Sequence, residues 1–303
     1  MVFNESGQAL GYASLAFGDH CKALNYYDVA GGFNSIAKGD TSFAFGRNVI
    51  ASGFGAVAFG QLTVADGQFC IVGGKRNECY ADYSLVIGLL NIVKGAQSIV
   101  GGQNNVVDGT ASIVGGMFNT DTGHRGLIAG NNNTLEGNDS AVIGTANVNS
   151  GRNGAFVAGQ LNTNEGERSS ILGGIDNYIS AAASDSFVLG IHTEVNGAFN
   201  VAIGNYIEAH HPYCWTMGQN LETSRIHQTI LGIGNEKDPS AILIIGAGSE
   251  IAGYANGPRL NALTVKQYTG YVEIPKLVLI SPNKNKFMLK VSDDGTLSTE
   301  RVY

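Results

Sequence analysis

The sequence predicts an all-β solenoid of 17 stacked turns, about 14 residues each, followed by a small C-terminal β module. Three observations predict it. Glycine recurs at 18, 32, 46, 60, 74, 88, 102, 116, 130 and 144, continues at 159, 174 and 190, and returns at 204, 218, 232 and 246. This is a 14-residue step interrupted by steps of 15, 15 and 16. A second glycine falls about seven residues after most of these, at 39, 53, 67, 95, 109, 123, 137, 151, 166 and 197. Seven residues hold one short strand and one tight turn, with too few left for a helix. Composition agrees: 43 glycines, 5 prolines and 14% charged residues, against about 25% charged in an average domain, mean many tight turns and little free surface.

The elements follow in order. Residues 1–11 form a short N-terminal segment, 12–246 carry the repeats and 247–303 form the C-terminal module. Each closing glycine ends an apolar run, as in Ser42-Phe-Ala-Phe-Gly46, Ser98-Ile-Val-Gly-Gly102 and Ser140-Ala-Val-Ile-Gly144. Asparagine marks the other half-turn at 77, 91, 105, 119, 133, 147, 162 and 177, three residues after a closing glycine. Two roles are open to it. It tolerates left-handed backbone and caps its own turn, or it stacks its amide along a column of identical amides.

The two half-turns differ in polarity. The first is apolar on both faces, as in Leu85-Val86-Ile87, Ala141-Val142-Ile143, Val201-Ala202-Ile203 and Leu243-Ile244-Ile245. Successive strand side chains point to opposite faces, and a solenoid wall has one inner face. The outward residues therefore need a partner; Leu85, Ile87, Ile143, Ile203, Trp215, Leu243 and Ile245 are the candidates for an interface between copies. Over 17 turns the stripe is about 80 Å long, more than a soluble monomer leaves bare. The expected partner is the chain itself, in a homotrimer. The second half, as in Asn48-Val-Ile-Ala-Ser, Asn105-Val-Val-Asp and Asn133-Thr-Leu-Glu, is expected to face water.

The longer steps are expected to place extra residues after the mid-turn glycine, near 152–155, 167–170 and 180–186, as three neighbouring bulges on one edge. Arg152, Asn153, Glu167, Arg168 and Asp185 lie there as candidates for partner contact. Beyond the repeats, strand-like runs at 262–266, 277–280 and 287–291 alternate with turn signals, Asp294-Gly295 being a hairpin turn. Tyr268, Tyr271, Leu277, Leu279, Phe287 and Leu289 offer side chains to cap the last turn, to set trimer register or to form a distal knob.

A net charge of −7 with no basic cluster speaks against nucleic acid or an anionic membrane as partner. No basic or apolar leader opens the chain, so no signal peptide is expected, and no apolar run approaches a membrane span. Cys21, Cys70, Cys79 and Cys214 lack metal-type spacing and read as reduced, packed thiols. His124, His192, His210, His211 and His227 keep no metal-ligand spacing, so neither a metal nor a cofactor is expected, apart from an ion held on a trimer axis. Gly101-Gly102 is a repeat turn rather than a phosphate loop. Glu165 and Glu167 sit near a turn as solvated groups, and no acid/base pair marks an enzyme.

The alternation of Ser-x-Ala/Val-x-Gly with Asn-x-Val-x-x-Gly over residues 12–246 resembles the YadA-like head of trimeric adhesins, which implies left-handed parallel β-rolls packed three together. The segment Asn261-Ala-Leu-Thr-Val-Lys-Gln-Tyr-Thr-Gly-Tyr-Val-Glu-Ile274 and the run from Lys286 to Ser298 resemble endings of bacteriophage fibre proteins. Together the resemblances imply a structural virion fibre, on a tail or a capsid head, made in the host cytoplasm. It would project from the particle and touch a host receptor or glycan. Its attachment is expected through the short N-terminal segment, another fibre or capsid protein, or the C-terminal module. A trimeric bacterial surface adhesin is the alternative. A solenoid enzyme fits less well, because the hexapeptide acyltransferases it would resemble use turns of about 18 residues.

Overall fold

The computed structural model describes residues 6–248, 260–267, 269, 271–274, 278–280, 286–292 and 295–302. Among these, all regular structure is β. The chain divides into two compact units, Met1–Asp185 and Ser186–Tyr303. By the closing glycines the first holds twelve turns and the second five.

Each turn of the first unit has a strand of five residues, six in the last turn, ending just past the closing glycine, a left-handed corner, a two-residue strand, and a second corner. Leu85–Leu89 followed by Ile92–Val93 is one turn and Ile99–Gln103 followed by Val106–Val107 the next. They pair in parallel and in register, Leu85 with Ile99 and Ile92 with Val106. The 14-residue step in sequence is therefore the ladder step in space. The closing glycines are needed at this spacing. Gly116 has φ +114°, and a Cβ there would lie 1.9 Å from the carbonyl oxygen of Gly130 in the next turn.

Four inward columns fill the roll. Along the long strands run Ala16, Ala30, Ala44 and Ala58, then Val72, Val86, Val100, Val114, Ile128, Val142, Val157 and Ile171, all buried. Opposite, on the short strands, stand Ala23, Ala37, Ala51 and Ala65, then Cys79, Val93, Val107, Asp121, Leu135, Asn149, Asn164 and Ile179, also buried. The core is thus methyl-lined in the first turns and thickens to branched side chains later. A serine-rich column (Ser84, Ser98, Ser112, Ser140) and the asparagine column close the two corners from inside. The four cysteines are free and buried in these columns.

The asparagines correct the first role proposed for them. The left-handed residue is the one before each, Leu90 (φ 59°), Asn104 (φ 54°) and Phe118 (φ 56°) among them. The asparagine itself turns inward. Asn105 Nδ2 donates to Asn91 Oδ1 at 3.0 Å, and Asn119 Nδ2 to Asn105 Oδ1 at 3.0 Å. The backbone N–H groups of Asn105 and Asn119 donate to the same two oxygens, each at 3.0 Å. Asn105 and Asn133 are therefore buried and satisfied rather than facing water. Val106 and Thr134 stand half-buried on the outer side in their place.

The middle irregularity also differs from expectation. Phe156 pairs with Ser170 and Val157 with Ile171, but Gln160 pairs with Ile175, so the extra residue is a β-bulge inside the long strand Ser170–Ile175. The turn at 166–170 is regular, with Gly166-Glu-Arg-Ser169 spaced like Gly95-Ala-Gln-Ser98. Only two irregularities lie at the corner. One is the extra residue within 152–155. The other is a pair of residues ahead of Ala183, whose carbonyl takes the Ser169 hydroxyl as Gly151's takes Ser140's.

In the second unit the last solenoid strand, Ala241–Ala247, is covered by an antiparallel strand, Asn261–Lys266, which pairs in turn with Val272–Glu273. The first strand of the C-terminal region thus joins the sheet of the roll. A separate antiparallel sheet follows, made of Val278–Ile280, Lys286–Val291 and Leu297–Val302. Val291 pairs with Leu297 around a turn in which Gly295 has φ +82°. Tyr268, Leu277 and Asp294 lie outside the described residues.

Candidate oligomer interface and surface ladders

Alternation along each long strand of the first unit sends the second residue inward and the residues on either side of it outward. Val86 and Val142 are buried; Ile87 is 47% exposed and Ile143 39%. Leu85 is half-buried on the same outer face. In the second unit Trp215 is 58% exposed, Ile245 sits at the margin of exposure, and Ile203 and Leu243 are half-buried. All seven interface candidates therefore stand on the outer face of a long strand.

This face is uneven. Phe17 and Phe45 lean over Gly31, where a Cβ would meet Phe17 Cζ at 2.4 Å, and Phe59 leans over Gly73. Gly101 and Gly115 have nothing within 4 Å of where a Cβ would sit, which leaves a hollow two turns tall beside Ile99 and Ile113. Twelve turns at ~4.8 Å, each presenting about 10 Å of strand, give an apolar face of roughly 600 Å² in the first unit alone.

The short strands present Ile36, Ile50, Val64, Glu78, Ile92, Val106, Thr120, Thr134, Val148 and Thr163 outward, all half-buried. This wall is more β-branched and less polar than the sequence pattern implied, because the polar asparagines turn inward.

The corner after the mid-turn glycine carries an ion-pair ladder. Arg125 grips Asp139 through Nε (2.5 Å) and Nη2 (2.6 Å). Asn153 Nδ2 donates to Glu167 Oε1 at 2.5 Å, and Arg168 donates to both oxygens of Asp185 at 2.7 and 2.8 Å and to Glu167. The guanidinium hydrogen bonds hold the carboxyls of Asp139 and Asp185 below the usual range. Of the five partner-contact candidates, the structure links the side chains of Asn153, Glu167, Arg168 and Asp185. Arg152 joins through its carbonyl, which accepts the Arg168 N–H. Glu165 is not a second free acid beside Glu167: its carboxylate accepts the Tyr178 hydroxyl at 3.0 Å.

Two features escaped sequence reasoning. Asp121 is buried in a column otherwise apolar or amide; one carboxylate oxygen takes the Gly123 N–H at 3.1 Å and the other has no partner. Burial raises its pKa, partly countered by Ser112 and by that N–H. The second is a set of potential metal ligands, Glu208, His210 and Glu222, whose ligand atoms all lie within 4.8 Å of one another. Their spacing of 2 and 14 matches no linear metal motif; only the solenoid step brings Glu222 beside Glu208.

Fold and repeat define a β-roll repeat protein. The family model of the grass antifreeze β-roll matches residues 43–144, about a third of the chain. No curated protein matches it by sequence. Among the described residues no helix is long and apolar enough to cross a membrane.

Proposed function

We propose that the chain is a structural fibre protein that assembles as a homotrimer through the outer face of its long strands, and that it serves as a virion fibre contacting a host surface. The observation carrying this reading is the apolar, knobbed face itself. Phenylalanine and isoleucine knobs alternate with glycine hollows, a relief suited to interdigitating with another protein surface and ill suited to water. At roughly 600 Å² in the first unit it approaches the ~800 Å² per partner of a stable interface. The YadA-like and phage-fibre sequence resemblances supply the trimer and the virion; a trimeric surface adhesin is the same assembly in another setting.

Light scattering tests the assembly: three times the 31.7 kDa chain mass is expected. Ile143→Asp and Ile203→Asp should dissociate it, because each buries an unpaired charge between copies. Ser52→Asp, on the short-strand side, should leave it intact. A well-behaved monomer, or equal assembly of all three variants, overturns the proposal.

A second reading takes antifreeze activity from the matched family. The short-strand wall favours it, since Ile92, Val106, Thr120, Thr134, Val148 and Thr163 form a single-file array of β-branched side chains at the ladder spacing. Thermal hysteresis of the purified protein, abolished by Thr134→Tyr, would select this reading; freezing behaviour identical to that of an inert protein eliminates it.

A further inference from the structure

The outer short-strand column of the second unit differs from that of the first. Glu194 pairs with Glu208, and Glu208 with Glu222, so parallel register stacks three carboxylates on consecutive turns. Like charges stacked directly across a ladder repel. Two cationic or cation-seeking groups stand beside them: Lys237 pairs with Glu222, and His210 Nε2 lies 3.3 Å from Glu208 Oε2.

We propose that Glu208, His210 and Glu222 form a binding site for a divalent transition-metal cation of the zinc type. In a tetrahedral zinc site with bonds of ~2.1 Å the ligand atoms stand about 3.4 Å apart. The His210–Glu208 separation already meets that, and Glu222 completes the set with only side-chain rotation inside the 4.8 Å span. An imidazole among carboxylates selects zinc-like ions over calcium or magnesium, which prefer oxygen-only shells.

The backbone holds these ligands in place. Glu208 and Glu222 are fixed by their strands, Val201–Ala209 and Trp215–Glu222. His210 follows directly, its N–H donating to Thr223 Oγ1 at 3.0 Å, while the Thr223 N–H donates to the Glu208 carbonyl at 3.0 Å. The far ring nitrogen, Nδ1, is 3.0 Å from the Asn196 amide. The Nδ2 of the same amide donates to Glu194 Oε1 at 2.6 Å, so Asn196 ties the imidazole ring to the third carboxylate of the stack. Solvent would fill the remaining position. Lys237, itself exposed, is the resident competitor for the largely buried Glu222 carboxylate.

The test is calorimetric titration of ZnCl2 into the full chain, free of any polyhistidine tag and stripped with chelator, with thermal unfolding in parallel. One ion per chain and a melting temperature that rises with zinc concentration are expected. Glu208→Gln and His210→Ala should each weaken binding at least about tenfold, with circular dichroism unchanged. His227→Ala, in the aromatic stack with Tyr213, should bind as the parent does. Lys237→Met should bind more tightly, a sign that a merely structural lysine would not produce. Absence of zinc binding, or affinity equal to the parent's in either Glu208→Gln or His210→Ala, overturns the site. Calcium binding as tightly through the same residues overturns the assignment of metal class.

Discussion

Asn119→Ala tests the interior ladder. Asn119 Nδ2 donates to Asn105 Oδ1 (3.0 Å), to the Gly115 carbonyl (3.2 Å) and to the Gly130 carbonyl (3.0 Å). Its Oδ1 accepts the Asn133 N–H at 3.0 Å and the Asn133 amide at 3.2 Å. Truncation leaves the buried Asn133 N–H without its acceptor and removes the donor from one carbonyl in the same turn and one in the next. At about 1–3 kcal/mol for an orphaned buried donor and about 1 kcal/mol for each lost bond, the cost is about 3–5 kcal/mol. Thr63→Val is the control in the same column, because Thr63 makes one long bond, 3.4 Å to the Phe59 carbonyl, and should cost under about 1 kcal/mol. A solenoid unfolds in local steps, so the decisive assay is hydrogen exchange. The Asn133 amide should lose protection in Asn119→Ala while amides several turns away keep theirs. A variant with full protection at Asn133, or one no less stable than Thr63→Val, would refute the ladder as a source of stability.

The remaining predictions are shorter. Burial raises the Asp121 pKa above its ordinary 3.8, so this group favours the folded state most at pH below 3.8 and loses that contribution as pH climbs through the folded value. Asp121→Asn, matching Asn149 and Asn164 in the same column, should therefore melt like the parent in acid and higher than the parent at neutral pH; scanning calorimetry across pH reads the difference. A chain ending at Gly246 strips Asn261–Lys266 from the strand Ala241–Ala247 and bares its edge, so size-exclusion chromatography should show aggregates. Arg168→Met removes only exposed ion pairs and should leave the melting temperature unchanged at physiological salt.

The fold was legible because one turn is written 17 times, so a single misread turn is outvoted by its neighbours. Inward and outward were legible on the long strands, where Val86 between Leu85 and Ile87 alternates cleanly. They were misread on the short strands, where a polar residue type was equated with solvent although its hydrogen bonds close inside the roll. The bulge at 171–175 was misplaced because glycine spacing gives the number of extra residues but not their position; the intact Gly166-Glu-Arg-Ser169 interval held the missing clue. Asp121 and the Glu208–His210–Glu222 group were invisible to motif reading, since the neighbours that matter lie one solenoid turn away.

The alanine-lined core of the first turns bears on how the chain folds. Ala16, Ala23, Ala30, Ala37, Ala44 and Ala51 bury little side-chain surface, whereas Val86, Val93, Val100 and Val107 bury several methyl groups per turn. In a stack where each turn contacts only its neighbours, the first stable nucleus forms where a turn and its neighbour gain most from closing. The valine turns, supported by the asparagine ladder, are that place. Structure then spreads from the middle of the first unit outward, and the thin-cored turns near residue 12 close last and open first. The alanine-cored repeats therefore order late, on an already formed template.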